Sequence, residues 1–286
     1  MGKFPPYGLL HKNFQAVVSA NATRVSPAPH TSWNDHLNGL ISGIETHIWP
    51  RWNFATGTWA GALTPTYIEA LTRADLNCVQ NLNRNIPDNS REWLLFIQED
   101  RPGSRADPLA AVRQDARLPP AFINNLAINT IALKPYIAGS KFLFQRPRPA
   151  QMALILSIPI TVLYAESSLS PSLVSGHGLE GIAGVCNAFT ATRAGLSAAN
   201  TTAAKEWAVG IGDRRVFAGV HYPSDNFASW YVASQIAPFI WTTPGDAAAA
   251  KAFMWEAISQ HSLVYAETAN HTEFTAPRAW LENAFN

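Results

Sequence analysis

The chain has 286 residues, of which 47% are hydrophobic and only 14% are charged, and its formal net charge is +1. This length and composition suit one large domain, or two small ones, with a substantial buried core. Because the charges nearly balance, there is no electrostatic basis for binding nucleic acid or an anionic membrane surface, and we expect neither partner.

The chain begins with a segment rich in Pro, Ser, Asn and Thr, and we predict that residues 1–35 form an irregular surface arm. Apolar residues at three- and four-residue steps from Leu37 to Ile48 predict a helix. Pro65 begins a second helix, because proline is favoured in the first helical turn. Residues 84–105 carry several turn-forming residues around a short apolar run, which predicts a loop or lid.

Helical patterns dominate the rest of the chain. A long apolar segment runs from Phe122 to Phe144, and it should end near Gln145 because Arg146 and Arg148 each precede a proline. Further helices are predicted at residues 176–192, 198–212, 224–240 and 246–265.

No long alternating strand pattern is present, so we predict an all-α fold with a helix-bundle core. Residues 1–286 should form a single helical domain, with the catalytic core at residues 120–240. The longest apolar run, Met152 to Tyr164, is too short and too interrupted to span a bilayer. We therefore expect a soluble protein, cytoplasmic as written, or periplasmic or secreted if a signal peptide has been removed.

The cysteines and most of the histidines give no indication of a special site. Cys78 and Cys186 do not form a disulfide framework, and Cys186 lies on an apolar helical face that predicts a buried thiol. His36 and His47 are eleven residues apart without tight ligand spacing, so we predict no metal.

Three short stretches concentrate groups that can hold a tetrahedral oxyanion and react with it. Cations and a helix N-terminus neutralise the oxygens of such an anion, while one histidine can attack and another can move protons. The stretches are Lys141 to Arg148-Pro149, Ser175-Gly176-His177, and Arg215 to His221 and Asp225.

Their order and spacing resemble the three-part signature of the type 2 phosphatidic-acid phosphatase (PAP2) superfamily. That superfamily includes bacterial class A acid phosphatases and vanadium-dependent haloperoxidases. Six residues separate Lys141 from Arg148, five separate Arg215 from His221, and three separate His221 from Asp225, as in the signature. Two positions depart from it, because Val174 replaces a proline and Arg214 replaces a serine, but we expect neither side chain to touch the anion.

The resemblance implies a helical bundle of the acid phosphatase and vanadium haloperoxidase type, and it implies a role for each motif residue. His221 would be the nucleophile that forms a phosphohistidine, Asp225 would fix its tautomer, and His177 would protonate the leaving group. The oxygens of the anion would be bound by Lys141, Arg148, Ser175, Gly176 and Arg215.

Two arginines next to the motifs are predicted to lie outside the site. We expect the side chain of Arg146, two residues before Arg148, to point away from the anion. We expect Arg214 to form a solvated ion pair with Asp213.

Two activities use this residue set. The first is a metal-independent phosphohydrolase, acting on a small-molecule phosphomonoester or diphosphate without a cofactor. The alternative is a vanadium-dependent haloperoxidase, which oxidises halide with hydrogen peroxide and holds vanadate as its cofactor, with His221 as the ligand. A catalytically silent binding module is disfavoured by the intact histidines and aspartate, and a homodimer is left open.

The phosphatase is favoured by the short segments between motifs, which contain 26 residues between Arg148 and Ser175 and 37 between His177 and Arg215. It is also favoured by Ser170, because many haloperoxidases of the family have an aromatic residue or histidine there. The run Arg146 to Gln151, in contrast, resembles soluble haloperoxidases.

The leaving group should contact residues 84–105 and 164–174. These segments offer the aromatic residues Trp93, Phe96 and Tyr164.

Overall fold

The computed structural model describes residues 31–84, 91–99, 107–127, 130–163 and 166–286. Its helices are α1 (Thr31–His47), α2 (Pro65–Arg84), α3 (Arg91–Glu99), α4 (Pro120–Asn124), α5 (Thr130–Phe144), α6 (Pro149–Leu156), α7 (Gly176–Thr192), α8 (Ala198–Phe217), α9 (Pro223–Ile240), α10 (Pro244–His261), α11 (Leu263–Glu267) and α12 (Thr275–Phe285). Two short antiparallel strands, β1 (Arg51–Asn53) and β2 (Thr58–Ala60), form a hairpin in which Trp52 is opposite Trp59. The all-α prediction is confirmed.

The bundle core consists of α7, α8, α9 and α10. Helix α7 packs against the other three, and α8 and α9 also pack against α10. Small residues let α7 and α8 approach closely: a Cβ atom on Gly181 would lie 2.9 Å from the Ile211 side chain, and one on Gly212 would lie 3.2 Å from the Cα of Gly178. The contact between Gly178 and Gly212 brings the start of α7, which carries His177, beside the end of α8, which carries Arg215.

Several predicted boundaries differ from the structure. Residues 1–30 of the predicted arm lie outside the described residues, while residues 31–35 are helical because α1 begins at Thr31. In the predicted lid, residues 85–90 and 100–106 lie outside the described residues, and 91–99 form helix α3.

The bounds of the later helices also differ from the prediction. The apolar segment from Phe122 to Phe144 is divided between α4 and α5. Helix α8 continues to Phe217, and the predicted tail helix is interrupted at Ser262, where α11 begins with a new cap. Cys186 is buried, as predicted, and Cys78 is buried as well; both are free thiols.

Among the described residues, none of the helices has both the length and the apolar character that a membrane crossing requires.

Candidate active site

The first motif turns sharply between its lysine and its arginine. Lys141 lies in the last turn of α5, and the helix ends where Gln145 adopts a positive φ of 45°. The chain then runs through two proline-preceding arginines into α6, which begins at Pro149. Arg146 and Arg148 bind different partners, since Arg146 reaches two carboxylates whereas Arg148 reaches backbone oxygens and the His221 ring.

A second tight turn positions His221. The loop after α8 passes through Gly219, which has a φ of 68°. A Cβ atom there would lie 2.3 Å from the backbone oxygen of Thr161, so only glycine fits without displacing the chain. The amide of His221 then donates to the backbone oxygen of Arg215 at 3.2 Å, which ties the histidine to the end of α8.

His221 and Asp225 form a buried pair at the start of α9. The Nδ1 atom of His221 lies 2.9 Å from Oδ2 of Asp225, and the same oxygen accepts from the Tyr222 amide at 3.1 Å. On the other side of the ring, Nε2 lies 3.0 Å from Nη1 of Arg148. A guanidinium can only donate, so Nε2 must be the acceptor and Nδ1 carries the proton.

The surrounding charges agree with this tautomer. Burial, together with Arg148 and Lys141, lowers the pKa of His221 well below its ordinary value, although Asp225 opposes this effect. Burial raises the pKa of Asp225, but Arg146, His221 and the Tyr222 amide outweigh it and lower the value to about 2. The pair is therefore a neutral imidazole beside an ionised carboxylate at neutral pH.

The three predicted anion-binding cations lie near one another, and Arg148 and Lys141 both act on the His221 ring. Burial, then Arg148, and also Arg215 lower the pKa of Lys141 well below its ordinary value. Arg148 and Arg215 are buried, and the guanidinium carbon of Arg215 lies 4.4 Å from the centroid of the Phe96 ring. Three cations in one buried region are costly unless an anion compensates them, so this arrangement is suited to a multiply charged anion.

The segment before α7 supplies oxygen acceptors for two of these cations. The Lys141 ammonium donates to the backbone oxygens of Pro171 and Ser172. Nε of Arg148 donates to the backbone oxygen of Ser170 at 2.7 Å.

The start of α7 carries the second motif. Ser175 is the N-cap, and its hydroxyl oxygen accepts from the Gly178 amide at 3.2 Å, which leaves the hydroxyl hydrogen able to donate. The amide of Gly176 belongs to the first turn, where N–H groups have no intrahelical acceptor. The backbone oxygen of Ser175 accepts from Ser229, which also donates to the backbone oxygen of Asp225. The Ser229 hydroxyl thus connects the second motif, at Ser175, with the third motif, at Asp225.

His177 lies in the first turn of α7 and is 7% exposed. Its Nε2 atom is 3.4 Å from the backbone oxygen of Glu99, at the end of α3. The Glu99 carboxylate forms an ion pair with Arg214, whose Nε donates to Oε1 at 3.0 Å. The prediction of a solvated pair between Arg214 and Asp213 is therefore wrong, because Arg214 is 4% exposed and its carboxylate partner comes from α3.

Arg146 does point away from the cations, but it belongs to the site. Its Nη1 donates to Oδ1 of Asp225 at 2.8 Å, and its Nη2 donates to Oδ2 of Asp75 at 2.8 Å. The guanidinium carbon lies 4.0 Å from the Tyr222 ring centroid and 4.9 Å from that of Trp49. Arg146 therefore joins Asp225 to helix α2.

Asp75 was not found from the sequence. It is fully buried, and it accepts from the Ser224 amide at 3.0 Å and from the Ser224 hydroxyl at 2.6 Å. It thus places a carboxylate at the N-terminus of α9, where negative charge is favourable. The one available signal was a carboxylate on the buried face of α2, between Leu71 and Val79.

The predicted leaving-group contacts need a correction as well. Trp93 and Phe96 are 6% and 2% exposed and pack against Ala218 and Val220, so they support the His221 loop rather than line an open surface. Tyr164 lies outside the described residues.

Comparison with known proteins agrees with this geometry. Residues 123–248 match the family model of the PAP2 superfamily, a range that contains all three motifs. No curated protein and no solved structure matches the chain. Residues 123–248 therefore match a PAP2 superfamily domain, and the helices that this range forms agree with the match.

Proposed function

We propose that the protein is a metal-independent phosphohydrolase, similar to class A acid phosphatases, that acts on phosphomonoesters or diphosphates through a phosphohistidine on His221. The observation that supports this proposal is the contact of Arg148 with a neutral imidazole, with Lys141 acting on the same ring and Arg148 and Arg215 both acting on Lys141. The imidazole presents an Nε2 lone pair to one of these cations, at 3.0 Å from Nη1 of Arg148.

Substrate binding would activate the nucleophile. The phosphoryl oxygens would be held by the three cations, with the Ser175 hydroxyl and the Gly176 amide donating at the start of α7. As Nη1 of Arg148 turns to a phosphoryl oxygen, it releases the lone pair of His221. The imidazole keeps its orientation because Asp225 holds Nδ1.

Chemistry would then follow in two steps. Nε2 of His221 attacks phosphorus, the bond from phosphorus to the leaving oxygen breaks, and His177 gives a proton to that oxygen. Water next attacks the phosphohistidine and passes a proton to His177, and the N–P bond breaks to release phosphate. Asp225 stabilises the positive charge that develops on His221 in the first step.

The haloperoxidase alternative uses the same pocket. Vanadate is a tetrahedral oxyanion similar to phosphate, so Lys141, Arg148 and Arg215 suit its oxygens and Nε2 of His221 suits the metal. Ser170 argues for the phosphatase: its backbone oxygen accepts from Nε of Arg148, so a small side chain lies beside this arginine where many haloperoxidases of the family have an aromatic residue or histidine.

A paired assay tests the proposal. Purified protein should hydrolyse p-nitrophenyl phosphate in the presence of EDTA, and orthovanadate should inhibit it competitively. The same preparation, given vanadate and peroxide, should not oxidise bromide or iodide. Halide oxidation without phosphatase activity would establish the alternative, and a phosphatase activity that EDTA removes and zinc or magnesium restores would contradict the metal-free mechanism.

A further inference from the structure

A second cluster of reactive side chains lies between α2 and the C-terminal segment. Cys78 of α2, Glu267 at the end of α11 and His271 just beyond it each offer one donor atom, and the three atoms lie within 4.8 Å of one another. Cys78 is fully buried, whereas Glu267 and His271 are partly buried. None of the three belongs to the motifs of the PAP2 domain at residues 123–248.

We propose that Cys78, Glu267 and His271 bind a divalent zinc-type cation that fastens helix α2 to the C-terminal segment. A thiolate, an imidazole and a carboxylate are the three donor types that Zn²⁺ uses in proteins, and water completes a tetrahedral site. Burial of the thiol and partial exposure of the other two side chains leave a route by which the ion enters.

The distances suit such an ion. Zinc bonds of about 2.0 to 2.3 Å place neighbouring tetrahedral donors roughly 3.3 to 3.6 Å apart. Nε2 of His271 lies 3.7 Å from Oε1 of Glu267, so this pair already has nearly the required separation. The remaining donors, at no more than 4.8 Å, need an inward adjustment of about 1 Å, which side-chain rotation supplies.

An independent observation is the state of the His271 ring. Its Nε2 atom is buried, yet within the described residues no group lies at hydrogen-bond distance from it. A buried polar atom without a partner is costly and commonly indicates a water or ion at that position. A metal ion bound to Nε2 would remove this cost.

The surroundings compensate a cation and orient the carboxylate. Glu267 and Glu273 both act electrostatically on Cys78, so a bound cation would be favoured there, although burial and these carboxylates raise the pKa of the free thiol. Oε1 of Glu267 accepts from Asn81 of α2 at 2.9 Å, and Oε2 accepts from Asn270 at 3.3 Å. Such outer hydrogen bonds hold a ligating carboxylate in place.

The proposed metal site would have a structural role. Cys78 is one helical turn after Asp75, which holds Arg146 and the start of α9. An ion here would stabilise the position of α2 beneath the active site, without contacting substrate. Its occupancy is therefore measured by metal content, spectroscopy and melting temperature rather than by turnover.

The experiment titrates metal-stripped protein with Zn²⁺ and, separately, with Co²⁺. We expect about one equivalent to bind, and at roughly 100-fold excess over Kd the Tm should rise by about 4 °C. Co²⁺ should give a near-ultraviolet thiolate-to-metal absorption band. Cys186→Ala is the matched control, since Cys186 is equally buried but belongs to no such donor cluster in the described part of the chain, and it should keep both signals.

The variants Cys78→Ala and His271→Ala should lose the thiolate band and the Tm rise. His271→Ala keeps the test decisive if Cys78→Ala fails to fold, because His271 is partly exposed. Absence of binding to wild type, or a Tm rise that persists unchanged in His271→Ala, would overturn the proposal. Neither result depends on whether the protein is a phosphatase.

Discussion

Arg146 and Asp225 form an ion pair that is almost completely removed from solvent, with Nη1 2.8 Å from Oδ1 and side-chain exposures of 1% and 0%. The pair leaves Oδ2 of Asp225 for the His221 ring. Asp75 binds the other end of the guanidinium. Asp225 therefore orients the proposed nucleophile His221, and Arg146 and Asp75 hold Asp225 in place.

We predict that Asp75→Asn lowers kcat by about 10- to 100-fold and changes KM little, because Asp75 positions Arg146 and α9 without touching substrate. The matched control is Asp213→Asn. Asp213 is also buried, and burial raises its pKa to about 7 despite hydrogen bonds from Ser262 and Val264, so asparagine resembles its protonated form. Steady-state kinetics on folded variants decide the matter, and an unchanged kcat in Asp75→Asn would exclude a positioning role.

His177→Ala should affect substrates according to their leaving groups. General acid catalysis contributes about 10²- to 10⁴-fold, and most of it is needed when the leaving oxygen is a poor one. An alkyl phosphate should therefore lose activity far more than p-nitrophenyl phosphate. Equal losses for the two substrates would indicate that His177 binds the anion instead of donating a proton.

The pH profile of kcat/KM should be bell-shaped, with both limbs displaced toward acid. His221 must be neutral to attack, and it is neutral only above its pKa. Because burial and Arg148 lower that pKa, the acid limb should lie below pH 6.5. Lys141 must be charged to bind the anion, and it is charged only below its pKa. Because burial and Arg148 lower that pKa, the alkaline limb should lie below pH 10.5. Lys141→Arg should remove the contribution of residue 141 to the alkaline limb, since arginine stays protonated, and leave the contribution of His177, which must be protonated to act as the general acid. An acid limb above pH 6.5 would contradict a neutral His221 in the free enzyme.

Gly219→Ala should destabilise the protein and reduce activity together. A side chain there must adopt a φ of 68° and approach the Thr161 oxygen, so we expect a loss of about 2 kcal/mol and a Tm about 4 °C lower. Gly245→Ala is the control, because a Cβ atom there meets nothing within 4 Å. Thermal melts of both variants make the comparison, and equal Tm values would show that the turn before His221 is not constrained.

The sequence was most informative where chemistry and local structure coincide. Proline after Arg146 and Arg148 predicted the end of α5, and the residues around Gly176 predicted a helix that the structure places at Gly176–Thr192. The all-α bundle followed from the same helical patterns.

Long-range partners could not be predicted in this way. Asp75 meets Arg146, and Glu99 meets Arg214, only after helices distant in sequence pack together. From the sequence alone, an arginine beside a motif is interpreted as a surface charge, because its buried carboxylate partner is not known. The cluster of Cys78 with Glu267 and His271 was missed for the same reason, since Cys78 is far from the other two in sequence.

The most direct test of the mechanism is to trap the covalent intermediate. Wild-type enzyme turning over a labelled phosphoester should, after alkaline denaturation, retain label in a base-stable and acid-labile bond, as a phosphohistidine requires. His177→Ala should still accumulate the label from a nitrophenyl substrate, and His221→Ala should show neither label nor turnover. Labelled protein in His221→Ala, or wild type that turns over without any trapped label, would contradict His221 as the nucleophile.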